Sequence, residues 1–177
     1  SIVAAADRLL QVHKDVLALL AAATGADQRS RTTTAARLVA DAFGMTQRGS
    51  GGEIRPVVSG AGKAAVLGDM LVMRAIANVV VAACEGRTLP LALPVDIAVS
   101  AEGLVTIDVL LGQAPQRSDR WTLSLGAASY ILQCSDARVD VVERDGGCCL
   151  RIVIPGVLPQ TRPAAHRVQP DAAEAVR

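Results

Sequence analysis

Two histidines, four cysteines and scattered carboxylates are the side chains of this 177-residue chain that could do chemistry. His13 stands in Leu9-Leu10-Gln11-Val12-His13-Lys14-Asp15-Val16, inside a stretch free of glycine and proline. Its imidazole is partly unprotonated at neutral pH, so a ring nitrogen can act as a nucleophile and accept a phosphoryl group. Lys14, next in the chain, could counter phosphate charge. Asp15 points about 200° around a helix from His13, which makes it a poor partner for the ring. His13 also shares its face with Leu9, Val16 and Leu20, a pattern that fits a histidine packed in a helix bundle. His166 lies in residues 156–177, whose Pro, Ala and Arg content predicts a disordered, solvated tail. Cys84, Cys134, Cys148 and Cys149 form no CxxC pair, and the adjacent two should face opposite sides of a strand. Reduced structural thiols are the expectation, with no metal site.

The elements that would position these groups follow from periodicity. Residues 2–23 are rich in Ala and Leu, with Leu9, Leu10, Val16, Leu17 and Leu20 at helical spacing. After a stop at Thr24-Gly25-Ala26-Asp27, a second helix is expected from about residue 28 to 45 through Ala35, Leu38, Val39, Ala42 and Phe43. The pair reads as a helical hairpin over 1–48, and a second copy of the chain would complete a four-helix bundle. A homodimer is expected on that ground.

Gly49 to Gly52 marks a break, and a second domain is expected over 53–155. It opens with a short strand at 53–58, and Asp69 can cap a long helix through Met70, Leu71, Met73, Ile76, Ala77 and Val80 that ends near Glu85-Gly86. Strands are predicted at 95–100 and 104–111 around an Ala101-Glu102-Gly103 turn, then a polar loop over 112–120 and a helix over 125–133. A hairpin pairs 138–143 with 148–154 across Arg144-Asp145-Gly146-Gly147. The fold class is therefore α+β: a helical hairpin followed by an α/β sandwich with helices on one face of a mixed sheet.

Composition narrows the function. Lys+Arg total 18 against 17 Asp+Glu, for a net charge of +1. With no basic run, the counterion release that drives nucleic-acid binding lacks a source. Mean hydropathy is +0.36, yet no apolar run approaches the roughly 20 residues of a spanning helix. The stretch at 1–15 has charges inside it and no basic leader, unlike a signal peptide, so cytoplasmic residence without membrane contact is expected.

The order Ser124-Leu125-Gly126, helix, strand, Asp145-Gly146-Gly147, strand, together with the hairpin and the capped helix upstream, resembles sensor histidine kinases. The resemblance covers nearly the whole chain and implies a Bergerat-type ATP-binding domain after a dimerisation and phosphotransfer module. The family's long helix carries Asn-Glu-Leu-Val-x-Asn-Ala, whose side chains hold Mg²⁺ and support phosphoryl transfer. The matching stretch here is Asn78-Val79-Val80-Val81-Ala82-Ala83-Cys84, with Val79 and Ala83 in place of the acid and second Asn. The adenine-contacting Asp-x-Gly is replaced by Leu110-Leu111-Gly112-Gln113-Ala114-Pro115, with Asp108 nearby in the strand, and the glycine-rich lid keeps only Gly126. Asn78 then reads as a polar helix residue, and Gly126 as a residue for close packing of helix on strand.

Valine and alanine cannot coordinate Mg²⁺, so ATP hydrolysis is not expected and no cofactor is assigned. The combination resembles the histidine phosphotransferases related to such kinases, of the ChpT type. That resemblance implies His13 as phosphoacceptor, Lys14 as a phosphate contact, and receiver domains of response regulators plus a hybrid histidine kinase as partners, the receiver supplying Mg²⁺. The alternatives are a non-catalytic pseudokinase dimer that sequesters a regulator, and an active histidine kinase.

Overall fold

The structure, a computed structural model, describes residues 31–46, 53–144 and 147–157. Along the chain run β1 (Arg31–Thr34), α1 (Ala35–Thr46), β2 (Ile54–Gly60), β3 (Ala65–Gly68), α2 (Met70–Ala83), β4 (Leu91–Val99), β5 (Leu104–Gly112), α3 (Asp119–Gln133), β6 (Arg138–Arg144) and β7 (Gly147–Pro155). The main sheet is ordered β2-β4-β5-β7-β6, and β1 pairs with β3 in a small second sheet. Only β2 and β4 run parallel; the other pairs of the main sheet are antiparallel, so the sheet is mixed as the sequence predicts.

Strand alternation decides which side of that sheet is covered. Leu93, Val95 and Ile97 of β4, Val105, Ile107, Val109 and Leu111 of β5, and Leu150, Ile152 and Ile154 of β7 form one core with the helices. α1 contributes Ala35, Leu38, Val39, Ala42 and Phe43, the i, i+3, i+4, i+7, i+8 stripe of a helix lying on a core. α2 buries residues around most of its circumference because α1 and α3 flank it. Many of these are alanines, and small side chains let the helices approach closely.

Several expectations need correction. The helix expected from residue 28 begins at Ala35, because Thr32, Thr33 and Thr34 are β-branched and pair with Leu67, Val66 and Ala65 of β3. Thr34 then acts as a cap, its Oγ1 accepting from the Arg37 amide at 3.2 Å. The apolar stripe of α1, expected to await a partner copy, is spent on α2 and β2 within the chain. The expected first arm, residues 2–23, and with it the hairpin and bundle, lies outside the described residues.

α3 starts at Asp119 rather than at Leu125, since Ser118 caps it by accepting from the Trp121 amide at 3.1 Å. Gly156 and Val157, expected to open a disordered tail, are bonded to the domain. The Gly156 amide donates to Gly103 O at 2.9 Å, the Val157 amide to Ala65 O at 2.8 Å, and a Cβ on Gly156 would stand 2.3 Å from that Gly103 oxygen. His166 lies outside the described residues. Among them, no helix is long and apolar enough to cross a membrane.

Candidate functional site

The helix that would carry the chemistry, α2, starts as the sequence predicts: the Asp69 side chain accepts from the Val72 amide at 2.7 Å. Asn78 is half-buried on this helix. Val79 is 0% exposed and Ala83 1%, so the two positions matching metal-binding residues in the resemblance belong to the apolar core. Neither presents an oxygen or nitrogen to a cleft.

The other end of α2 is tied to the segment after β5. A register shift between Leu110 and Gly112 disrupts the β5 ladder and redirects the chain into the six-residue loop 113–118. Arg87, one turn past the helix, donates from Nη1 to Leu111 O and from Nη2 to Gln113 O at 2.7 Å. Glu85 accepts from Ser118 Oγ at 3.0 Å and stands 3.8 Å from Arg120. Two charged side chains thus pin both ends of the short loop to the end of α2. Beyond it, α3 packs along α2 and buries Trp121, Ser124, Ala128, Ile131 and Leu132.

Gly126, expected to serve close packing, does not. It is exposed, and a Cβ built there meets nothing within 4 Å. Ser124-Leu125-Gly126 lies inside α3 rather than at the mouth of a lid.

Asp108 is not part of this corner. Ile107 and Val109 face the helices, so Asp108 between them points to the opposite face of the sheet. There it accepts from Arg151 Nε and Nη2, each at 2.8 Å, and from Arg144 Nη1 at 3.1 Å. The Arg151 hydrogen bonds hold its carboxyl below the usual carboxylate range. Arg144 also stands 3.8 Å from Asp96, which accepts a bond from Ser59 Oγ at 3.3 Å. Cys149 lies on this same face, fully buried, and burial pushes its thiol up to about 11. Cys148 faces the core, as strand alternation predicts, and all four cysteines are free. Among the described residues no group of three His, Cys, Asp or Glu side chains converges on a point where a metal could bind.

Sequence reasoning missed Arg87 and Glu85. Their one signal is a pair of charged residues around Gly86 just beyond an apolar helix. His13 and Lys14 lie outside the described residues.

Comparison with known proteins bears on the fold. No family model matches the chain, and no curated protein sequence matches it. Among solved structures, it is similar to the mycobacterial sensor histidine kinase MprB, at 17% identity over 72% of this chain and 97% of that one, TM-score 0.52. The ATP-binding domain of PrrB from Mycobacterium tuberculosis aligns at 14% identity over 74% of this chain and 100% of that one, TM-score 0.53. Full-length ShkA, determined in complex with AMPPNP, aligns at 16% identity over 86% of this chain, which spans 37% of that protein, TM-score 0.60. The described fold is that of histidine kinase ATP-binding domains.

Proposed function

We propose that the chain is a histidine phosphotransferase of two-component signalling. It passes a phosphoryl group between receiver-domain aspartates through His13 and does not use ATP. The fold supports a place in two-component signalling. One observation carries the finer reading: Val79 and Ala83 are packed in the core of α2, where phosphoryl transfer from ATP would need metal-binding side chains. The loop pinned by Arg87 and Glu85 is consistent with it, being short and tied down rather than free to fold over a nucleotide.

In the proposed reaction the unprotonated nitrogen of His13 attacks the phosphorus of a receiver phosphoaspartate. A P–N bond forms as the P–O bond to the carboxylate breaks, and the carboxylate leaves with the electron pair. Mg²⁺ held by the receiver neutralises charge on the moving group, and Lys14 adds a contact to it. Transfer to the second receiver reverses these steps, so no nucleotide enters the balance.

The test is transfer from a panel of phosphorylated receiver domains to wild type and to His13→Ala. Acid-labile label on wild type that is absent from the variant supports the relay. Equal labelling of the two proteins, or none on either from competent donors, overturns it. Stable receiver binding without label would identify a sequestering pseudokinase.

A further inference from the structure

We propose that the cavity between the start of α2 and the turn after α3 binds a primary ammonium group on a short aliphatic stem, either a free alkylamine or the end of a lysine on a protein partner. The cavity measures about 50 Å³, and its walls include Leu67, Val72, Ala137 and Ile154. Asp69 and Ser135 are its two polar lining side chains. One water needs about 10–15 Å³ of such space, so several would fit, yet two polar side chains cannot give each of them the two to four partners that hold an ordered water. A ligand with one donor and an aliphatic body matches this lining better, since it displaces poorly bonded water with apolar surface.

Asp69 sets the charge of the donor. It is 6% exposed, and its Oδ1 accepts from the Val72 amide at 2.7 Å, which leaves Oδ2 as the acceptor for a ligand. Among the described residues, no lysine, arginine or histidine forms an ion pair with it. A carboxylate so far removed from water gains from a cationic donor, whose charge-assisted bond is roughly twice as strong as a neutral one. Ser135 directly follows the Cys134 cap of α3, so the cavity also borders the end of that helix, where partial negative charge favours a cation. The opposing positive end of α2 is answered by Oδ1 in the cap. The site does not involve His13, so it can fail while the relay stands, and the reverse.

Titration of the full chain with n-butylammonium, followed through amide chemical shifts by NMR, tests it. Wild type should show saturable shifts at Leu67, Val72 and Ala137. n-Butanol, a neutral molecule of the same size, should bind about tenfold or more weakly. Asp69→Asn keeps a side-chain oxygen for the Val72 amide, and so the cap, and should weaken n-butylammonium binding by about tenfold or more. Ala137→Val fills space from the far wall without touching the charge and should weaken both ligands. In a parallel titration, tighter binding of Nα-acetyl-lysine methylamide than of n-butylammonium assigns the ligand to a protein partner, and weaker binding assigns it to a free amine. The proposal is overturned by the absence of saturable shifts at these residues, by n-butanol binding as tightly as the ammonium, or by binding that is unchanged in Asp69→Asn.

Discussion

The two faces of β5 are under opposite demands. Towards the helices it presents Val105, Ile107, Val109 and Leu111, which are interchangeable with other apolar residues of similar volume. Towards the open side it presents Asp108, tied by a bidentate contact to Arg151 and a third bond to Arg144. On α2 there is no such division at Val79 and Ala83, which pack in the core and offer no ligand. A fold therefore does not by itself fix the chemistry done on it.

The largest expected effect tests whether α1 shares the core of the sheet. Phe43→Ala should lower unfolding free energy by about 3–5 kcal/mol in urea titration, in a single transition that includes the sheet. Loss of α1 with the sheet transition unmoved would separate the two.

Asp108→Asn probes the open face and should cost about 1.5–3 kcal/mol at neutral pH, because Arg151 and Arg144 lose a charged acceptor. The folded-state pKa of Asp108 is depressed, so its contribution is fully present above the ordinary carboxylate value of about 3.9 and fades as pH falls through the lower folded value. Stability measured against pH should therefore drop more steeply below about pH 4 in wild type than in the Asn variant. Equal slopes would mean that the carboxylate adds nothing.

Arg87→Ala removes two bonds to backbone carbonyls and should cost about 1–2 kcal/mol, with faster hydrogen exchange confined to residues 111–118. Smallest and opposite in sign is Gly126→Ala. With open space around an exposed helical glycine, it should stabilise by about 0.5–1 kcal/mol. A loss of stability there would return Gly126 to a packing role.

How much of this was legible depended on how locally each feature is encoded. The Asp69 cap, the alternation in β5 and the final hairpin are all local patterns, and the structure has them where the sequence predicts them, whereas β4 starts at Leu91 rather than at residue 95. β1 and β3 are four residues each, too short for periodicity to register, and helix-forming alanines beside β1 masked its threonines. The start of α3 was hidden behind Gly126, while Ser118-Asp119 carried the true capping signal. In the candidate site, the apolar character of Val79 and Ala83 on α2 could be read directly, and both are buried. The facing of Asp108 could have been counted from Ile107 and Val109, whereas Arg87 bonds backbone carbonyls, which leave no trace in side-chain identity.

The claim that this fold stands without nucleotide chemistry is tested most directly by calorimetric titration of the full chain with Mg²⁺ and ATP. The account predicts no saturable heat, in wild type or in Arg87→Ala. Saturable binding that requires Mg²⁺ would contradict it and restore the chain as an ATP-dependent kinase.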